Sequence, residues 1–297
     1  MKRFVKKSSI SDSKVFVIKK LVEPYFDPTF HFHSEYQLFL VLKGQGMRFI
    51  GDSMKPFKAG DLIFTGPNLP HVWRNDNDYF EQSEPGRTAG IVIYFQENFL
   101  GDSIMHKEEM EVIWSLFEKA KRGIEILGKT REKVSQMMQD LLEMKGFKSI
   151  IQLFEIFNEI ATSTELNPIT RYGYNPPLNK ISTDRMNIVY EHVMKNFSQQ
   201  IELKEMAELV NMTPTSFSRY FKTHVNKSFS EFLKEVRINH ACKLLQEEKL
   251  NIYQIALECG YNTLSNFNKQ FKEVMEQTPF FYRKVYHTLN VGTYGNF

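Results

Sequence analysis

The same pattern occurs twice in one stretch of the sequence, and this repeat decides the fold of the carboxyl-terminal part of the chain. Residues 206–222 read MAELVNMTPTSFSRYFK, and residues 255–272 read IALECGYNTLSNFNKQFK. Phe217 and Phe267 are 50 positions apart, whereas the alanines near the start of each copy are 49 apart, so the second copy has one additional residue between them. A repeat with this apolar spacing and a central turn predicts two helix-turn-helix units.

Capping and turn residues support the same arrangement. Thr213 followed by Pro214 is a typical start for the second helix of the first unit, and Thr263 is expected to cap its counterpart. Between the two helices of each unit, Asn211 and Gly260 occupy a position that requires a left-handed backbone, which asparagine and glycine tolerate better than other residues.

A long helix from about residue 230 to residue 247 is predicted to join the two units. Its apolar residues face both units, at Phe232, Val236, Ile238, Ala241, Leu244 and Leu245. About eighteen residues at 1.5 Å each give a length of roughly 27 Å, and the major-groove faces on one side of DNA repeat about every 34 Å. We therefore expect this helix to hold two recognition helices in adjacent grooves. Thr183 is expected to cap a further helix that precedes the first unit.

The outer face of the second helix in each unit contains only small polar and cationic residues. We predict DNA contacts from Thr215, Ser216, Ser218, Arg219, Lys222, Ser265, Asn268, Lys269 and Lys272. In the major groove an arginine can bind guanine and an asparagine can pair with adenine, while serine, threonine and lysine can bind phosphates. A single polar helix face is ordinarily a solvated surface, but two matching faces in a repeat favour double-stranded DNA as the partner.

The amino-terminal half has strand character between residues 14 and 96. Short runs rich in β-branched and aromatic residues lie at 15–18, 37–42, 47–50, 61–64 and 91–95, and glycines and prolines separate them. Several short strands at this spacing predict an antiparallel sandwich or barrel. From residue 98 to residue 165 the apolar spacing becomes helical, and we expect these helices to pack on the barrel or against a second subunit.

Three histidines of this region are candidates for a binding site. If His31 and His33 lie on one strand, both point to the same face, and His71 could join them from a facing strand. We predict a small-molecule site whose lining residues are His31, His33, Gln37, His71 and Trp73. Three imidazoles can also hold zinc, and histidines can simply satisfy hydrogen bonds in a barrel core. No catalytic residue and no cofactor is predicted.

The motifs around these histidines resemble the two cupin motifs. The first is His31-Phe32-His33 with Gln37 and the glycines that follow, and the second runs from Gly60 through Pro67 to His71. The resemblance implies a β-barrel. Metal-binding cupins have a glutamate where this chain has Gln37, and Glu35 lies nearer the histidines than the usual spacing, which counts against a metal centre.

Residues 201–284 resemble the DNA-binding domain of the AraC/XylS family. The residues that carry the resemblance are Arg237, Ala241, Leu244-Leu245, Ile255-Ala256, Gly260-Tyr261, Phe267, Phe271-Lys272, Thr278-Pro279 and Tyr282-Arg283. The resemblance implies a sequence-specific transcription regulator whose barrel senses a small-molecule effector, with a homodimer and RNA polymerase as further partners. The family usually has glycine after each recognition helix, where this chain has Asn226 and Glu276. We expect strain at Glu276 and therefore a different helix end there.

Two alternatives to this function stay open at this point. One is a metal-dependent cupin enzyme with an appended helical domain, and the other is a ligand-independent regulator with a vestigial barrel. The favoured hypothesis, a transcription regulator, predicts no enzymatic activity.

Composition is consistent with two domains. The chain has 297 residues, 42% of them hydrophobic, and a net charge of only +3, so a strongly basic tail is excluded. Two cysteines without metal-site spacing fit a reducing compartment. The start at Met1-Lys2-Arg3 is followed by no apolar segment, and no stretch is long enough to span a membrane, so we expect a cytoplasmic protein.

The predicted fold class is α+β. We expect a cupin-like sensor and dimerisation domain at 1–165, with the antiparallel barrel at about 14–96 and the helices at about 98–165. A linker at 166–181 contains Pro168 and Pro176-Pro177, which disfavour regular structure. An all-α DNA-binding domain at 182–297 holds the two helix-turn-helix units, at about 202–225 and 251–275.

Overall fold

The computed structural model describes residues 10–11, 13–81, 84–105, 107–175, 180–247 and 249–291. The chain forms two compact units, Met1–Asp184 and Arg185–Phe297. Two regions named above, Met1-Lys2-Arg3 and Pro176-Pro177, lie outside the described residues. Within the described part of the chain, no helix is both long enough and apolar enough to cross a membrane.

The first unit is built on two antiparallel sheets. Its strands are β1 (Phe16–Glu23), β2 (Tyr36–Lys43), β3 (Gly46–Ile50), β4 (Ser53–Phe57), β5 (Leu62–Thr65), β6 (His71–Asn75), β7 (Thr88–Phe95), β8 (Ile124–Ile126) and β9 (Leu166–Pro168). The larger sheet has the order β1-β7-β2-β5-β8-β9 and the smaller has the order β4-β3-β6. The predicted antiparallel β-architecture is confirmed.

The sequence did not predict β4 as a strand. Lys55 and Pro56 lie in β4 and are exposed, because β4 is an edge strand of the smaller sheet. An edge strand tolerates charge and proline, which a propensity argument counts against any strand.

Helices cover one face of the larger sheet. They are α3 (Glu111–Ala120), α4 (Gly128–Leu141) and α5 (Phe147–Ala161). The same unit also contains α1 (Asn77–Glu81), α2 (Asp102–Met105) and a 3₁₀ turn (Glu108–Met110). The alternation of β2 separates two cores: Leu38 and Leu40 pack with Phe117 and Phe157 of the helices, whereas Phe39 faces the smaller sheet. The helices thus pack on the sheet as predicted, although Ile151 of α5 is 45% exposed.

The first residues of the predicted linker belong to the sheet. β9 pairs with β8, and just before β9 the backbone carbonyl of Glu165 accepts a hydrogen bond from Leu127 at 2.9 Å. The prediction of a linker beginning at residue 166 is therefore wrong for these residues. Pro168 is compatible with β9 because β9 is the last strand of the sheet, where one side needs no backbone donors.

The second unit is helical. Starting with the helix that leads into it, the elements are α6 (Lys180–Asn196), α7 (Leu203–Leu209), α8 (Pro214–Val225), α9 (Phe229–Gln246), α10 (Ile252–Glu258), α11 (Leu264–Met275) and α12 (Pro279–Val291). The linking helix α9 begins and ends within one residue of the prediction. Thr183 is buried inside α6 rather than at its N-cap, so that prediction is wrong. The apolar face of α6 begins only at Met186, so the spacing of apolar residues does not show that the helix starts several residues earlier.

The two helix-turn-helix units have matching backbone geometry. In the turns, the backbone N–H of Met212 donates to Ala207 at 2.8 Å, and that of Tyr261 donates to Ala256 at 2.9 Å. Asn211 and Gly260 have φ values of 55° and 77°, as the sequence predicted. The Oγ1 atoms of Thr213 and Thr263 accept hydrogen bonds from Ser216 and Asn266, which confirms both N-caps.

The helix ends also match, which corrects the expectation for Glu276. Asn226 has a φ of 56° and Glu276 a φ of 59°. Their backbone N–H groups donate to Lys222 at 2.9 Å and to Lys272 at 3.0 Å. Glu276 therefore adopts the same left-handed conformation as Asn226, because the packing of the flanking helices fixes the chain direction whatever residue occupies the cap. Strain remains the physical expectation at Glu276.

Candidate DNA interface and effector cavity

The outer face of α8 is fully solvated, and its inner face is fully buried. Phe217 and Phe221 are 0% exposed, and they pack edge-to-face with Phe229 of α9 at centroid distances of 5.7 Å and 5.5 Å. The predicted contact residues Thr215, Ser216, Ser218, Arg219 and Lys222 are all exposed. The buried phenylalanines therefore determine which side chains α8 presents to a partner.

The outer face of α11 has the same character. Phe267 and Phe271 are 0% exposed, while Ser265, Asn268, Lys269 and Lys272 are exposed. Lys234 of α9 forms an ion pair with Glu273 of α11 at 3.1 Å. This pair adds a polar contact between the linking helix and the second recognition helix.

The cations on the two outer faces have no carboxylate within ion-pair distance among the described residues, although the charge of Lys222 acts on the Glu231 carboxylate. Within the described residues, none of Arg219, Lys222, Lys269 and Lys272 forms an ion pair. By contrast, Lys227 pairs with Glu235 at 2.7 Å. The two faces therefore carry a net positive charge that is available to phosphates. Contact with DNA by each residue stays a prediction.

Arg237 of the linking helix α9 and Gly260 of the second helix-turn-helix both contact the loop that follows α6. The guanidinium group of Arg237 donates to the backbone carbonyls of Phe197 at 2.8 Å and Gln199 at 2.7 Å. A Cβ atom on Gly260 would lie 2.6 Å from the carbonyl oxygen of Ser198. The sequence marked Arg237 and Gly260 as family residues, and the structure gives the physical reason: they secure the same loop.

The barrel contains a partly open cavity of about 420 Å³ between its two sheets. Its walls come from alternate residues of β1, β2 and β7, from β6, and from the segment that joins β1 to β2. The lining residues are Leu21, Glu23, Tyr25, Phe26, Asp27, Pro28, Thr29, His31, Gln37, Phe39, His71, Trp73, Val92 and Tyr94. Four of the five predicted ligand residues are present, whereas His33 is not among them. His33 lies behind Gln37, with its Nε2 atom 3.1 Å from the Gln37 side-chain oxygen.

The three histidines converge as predicted, but they do not share a strand. One ring nitrogen from each of His31, His33 and His71 lies within 4.8 Å of the other two. Residues 31–33 form no regular strand, and a bridge to His71 positions the backbone of His31.

The hydrogen bonds of these rings decide which nitrogen could bind a metal. Nδ1 lies 2.7 Å from the Thr29 carbonyl in His31, 3.0 Å from the Glu35 carbonyl in His33, and 2.7 Å from the Leu69 carbonyl in His71. A carbonyl only accepts, so Nδ1 carries the proton in each ring, and in His31 and His71 the lone pair lies on Nε2. In His33 the Nε2 atom also faces an acceptor, the Gln37 side-chain oxygen at 3.1 Å. The set therefore reaches the three protein ligands of a zinc site only if the Gln37 amide turns away from His33. Gln37 contributes no anionic ligand to that set.

Burial and charge also perturb one tyrosine in the wall of the cavity. Burial, together with the negative charges of Glu35 and Asp27, raises the pKa of Tyr94 to about 12. Tyr94 is opposite Gln37 in the β2–β7 register. Its hydroxyl group therefore stays protonated and neutral at physiological pH.

The sequence did not identify Glu23, Tyr25, Asp27, Phe39 and Tyr94 as site residues. Tyr94 alternates with Val92 along β7, which indicates a shared face. Strand pairing decides which face lines the cavity, and the sequence contains no direct signal for that pairing.

Family models match both units of the chain. A helix-turn-helix domain matches residues 206–285, and a cupin domain matches residues 21–79. The chain combines an AraC-type helix-turn-helix DNA-binding domain with an amino-terminal cupin domain. The recognition made from the sequence is thereby confirmed.

Relatives that match most of this chain are named as transcriptional regulators. An uncharacterized HTH-type transcriptional regulator of Bacillus subtilis, YfiF, is 22% identical over 88% of this chain and 81% of its own length. The HTH-type transcriptional activator RhaR of Mannheimia succiniciproducens is 22% identical over 87% of this chain and 89% of its own. The solved carboxyl-terminal domain of AraT, a response regulator from Geobacillus stearothermophilus, is 32% identical over 36% of this chain and 87% of its own, with a TM-score of 0.33.

Proposed function

We propose that this AraC-type regulator reads a specific DNA sequence through the outer faces of α8 and α11. The observation that carries the proposal is the pair of exposed faces whose four cations have no ion-pair partner among the described residues. Arg219 and Asn268 have the chemistry to read bases, and Lys222 and Lys272 have the chemistry to bind phosphates. The linking helix α9 has 18 residues, which gives a length of about 27 Å and suits recognition of adjacent major grooves.

We further propose that a small molecule bound in the barrel cavity controls this DNA binding. The cavity of about 420 Å³ falls within the usual size range of ligand pockets. In the family's manner, the bound effector changes how the recognition helices are placed on DNA. RNA polymerase is the partner through which such a regulator acts. Because its target is DNA, we also propose a cytoplasmic location.

A homodimer completes the proposal. Phe147 and Ile151 lie one turn apart on α5 and are 74% and 45% exposed. A second copy of the chain would cover them. Sedimentation equilibrium of the wild-type protein and of a Phe147→Ser variant tests this: a monomeric wild type would contradict it.

The test of the DNA function is a selection from random duplexes followed by footprinting. Arg219→Ala should reduce the free energy of DNA binding by about 1–3 kcal/mol and relax the preference at one base position. Lys272→Ala should weaken binding to all DNA sequences alike and lower the slope of log affinity against log salt concentration by about one. Lys58→Ala, an exposed lysine of the barrel unit, is the matched control. Unchanged sequence preference in Arg219→Ala would mean that Arg219 does not read a base, and protection of a single groove would refute the two-groove geometry.

We infer that the barrel is not an enzyme, because the relatives are named as regulators. The convergent histidines favour one alternative, a metal-dependent cupin enzyme. Metal analysis of the purified protein distinguishes a cupin enzyme from a regulator without enzymatic activity. Stoichiometric zinc, iron or manganese together with substrate turnover would support the enzyme, whereas effector-dependent DNA occupancy without turnover supports the regulator.

A further inference from the structure

The wall of the barrel cavity has an unbalanced charge. Among its lining residues, all within the described part of the chain, Glu23 and Asp27 are acidic and exposed to solvent, and none is lysine or arginine. The Glu23 carboxylate forms no ion pair within the described residues, and the Asp27 carboxylate accepts a hydrogen bond from the backbone of Thr29 at 3.0 Å. The wall therefore offers an anionic ligand two carboxylates and no lysine or arginine side chain.

Aromatic rings make up much of the remaining wall. Five of the lining side chains are aromatic: Tyr25, Phe26, Phe39, Trp73 and Tyr94. Phe39 packs edge-to-face with Phe26 at 5.3 Å and with Trp73 at 4.7 Å. These mutual contacts hold the rings in place before any ligand enters, so little ordering is needed on binding. The faces of such rings attract cations, most strongly in the case of tryptophan.

One buried donor in the wall has no acceptor. Trp73 is 5% exposed, and its indole N–H has no hydrogen-bond partner among the described residues. A buried N–H group without an acceptor is unfavourable. A ligand that supplies an oxygen atom at this position would relieve that cost.

We propose that the cavity binds a small organic cation that also carries an oxygen acceptor, such as an amino alcohol. The two carboxylates attract its positive charge, the aromatic rings surround it, and the Trp73 indole donates to its oxygen. This inference deepens the effector part of the proposed function and depends on it for its regulatory meaning. The binding chemistry itself rests only on the cavity.

The experiment compares ligands that differ in charge but not in shape. The probe is choline, a quaternary ammonium alcohol, and its uncharged counterpart is 3,3-dimethylbutan-1-ol. Titration calorimetry on the full chain should show choline binding about tenfold or more tightly than the neutral alcohol. The anion 3,3-dimethylbutanoate and a neutral pentose should bind more weakly than choline. Equal or tighter binding of any of these three, or no binding of choline, would overturn the proposal.

Variants of the wall locate the site. Glu23→Gln and Asp27→Asn should each weaken choline about twofold to fivefold, as expected for partly solvated charge pairs, and should leave the neutral alcohol unchanged. Asp140→Asn, which removes an exposed carboxylate of α4, is the matched control. Trp114→Phe leaves Trp73 as the only tryptophan, and choline should then quench its fluorescence. Unchanged fluorescence at saturating choline would place the ligand elsewhere.

The regulatory role is measured separately from the ligand class. DNA occupancy of the selected site is recorded with and without saturating choline. Choline binding with unaltered occupancy would leave the ligand class standing and refute effector control. Specific DNA binding without any choline binding would refute the ligand class and leave the DNA function standing.

Discussion

The helix end at Glu276 provides a sharp test of how the second unit is stabilised. Glu276 has a φ of 59°, a conformation that costs a residue with a side chain about 1–2 kcal/mol. Glycine adopts it freely but loses about 0.5–1 kcal/mol more conformational entropy on folding. The difference predicts that Glu276→Gly stabilises the unit by about 0.5–1 kcal/mol.

The equivalent position in the first helix-turn-helix, Asn226, is the matched control. Asn226 has nearly the same φ, at 56°, but asparagine tolerates this conformation better than glutamate. Asn226→Gly should therefore change the free energy of unfolding by less than about 0.5 kcal/mol. Glu276→Gln separates charge from conformation, because it removes the negative charge and retains the strained backbone.

The assay is urea denaturation of the full chain, followed by circular dichroism at 222 nm, with thermal unfolding as a second readout. A gain of about 0.5–1 kcal/mol corresponds to roughly 2–6 °C in the melting temperature of a unit of this size. Glu276→Gln should have the same free energy of unfolding as the wild type. If Glu276→Gly gave no gain, or if Glu276→Gln gave the same gain, backbone strain would not be the cause.

Three further predictions concern other parts of the chain. Gly260→Ala should destabilise the helical unit by about 2–4 kcal/mol in urea denaturation, because the strain of a left-handed backbone adds to overpacking against Ser198. Gly173→Ala, whose Cβ would meet nothing within 4 Å, should reduce the free energy of unfolding by less. Burial raises the pKa of Cys242 and Cys259 to about 12, so at pH 8 both thiols should react with a disulfide reagent roughly a thousandfold more slowly in the native chain than in urea. In Gly51→Ala a Cβ would lie 2.8 Å from the Tyr174 ring, so trypsin should cleave after Arg171 faster than in wild type. Gly101→Ala, with similar backbone strain and open space around it, should leave that cleavage rate unchanged, and equal rates in all three proteins would refute the predicted contact.

Much of the helical unit was predictable because its signals are local. Thr213 caps α8 through a bond to a residue three positions on, and the spacing of Phe217 and Phe221 already identifies the buried face. Once that face is known, the outer residues such as Arg219 follow from helix geometry alone. Where the local signal was weak, at the start of α6, the prediction for Thr183 was wrong.

The barrel was less predictable because its site depends on contacts between distant segments. The sequence identified four lining residues of the cavity, but Glu23 and Tyr94 come from strands whose partners the sequence does not name. β8 and β9 have only three residues each, too few for a periodic pattern to be recognised. Residue 166 was assigned to a linker for this reason.

The sequence by itself determined the repeat, the helix caps and the polar faces of α8 and α11, since all of these depend on residues a few positions apart. Only the tertiary structure decided that Glu276 takes the same left-handed cap as Asn226 and that His33 lies behind Gln37. It also decided that two carboxylates and five aromatic rings share one cavity. The physical reason is that strand register and loop packing are set by the whole barrel, so side chains far apart in sequence become neighbours only after the sheets have paired.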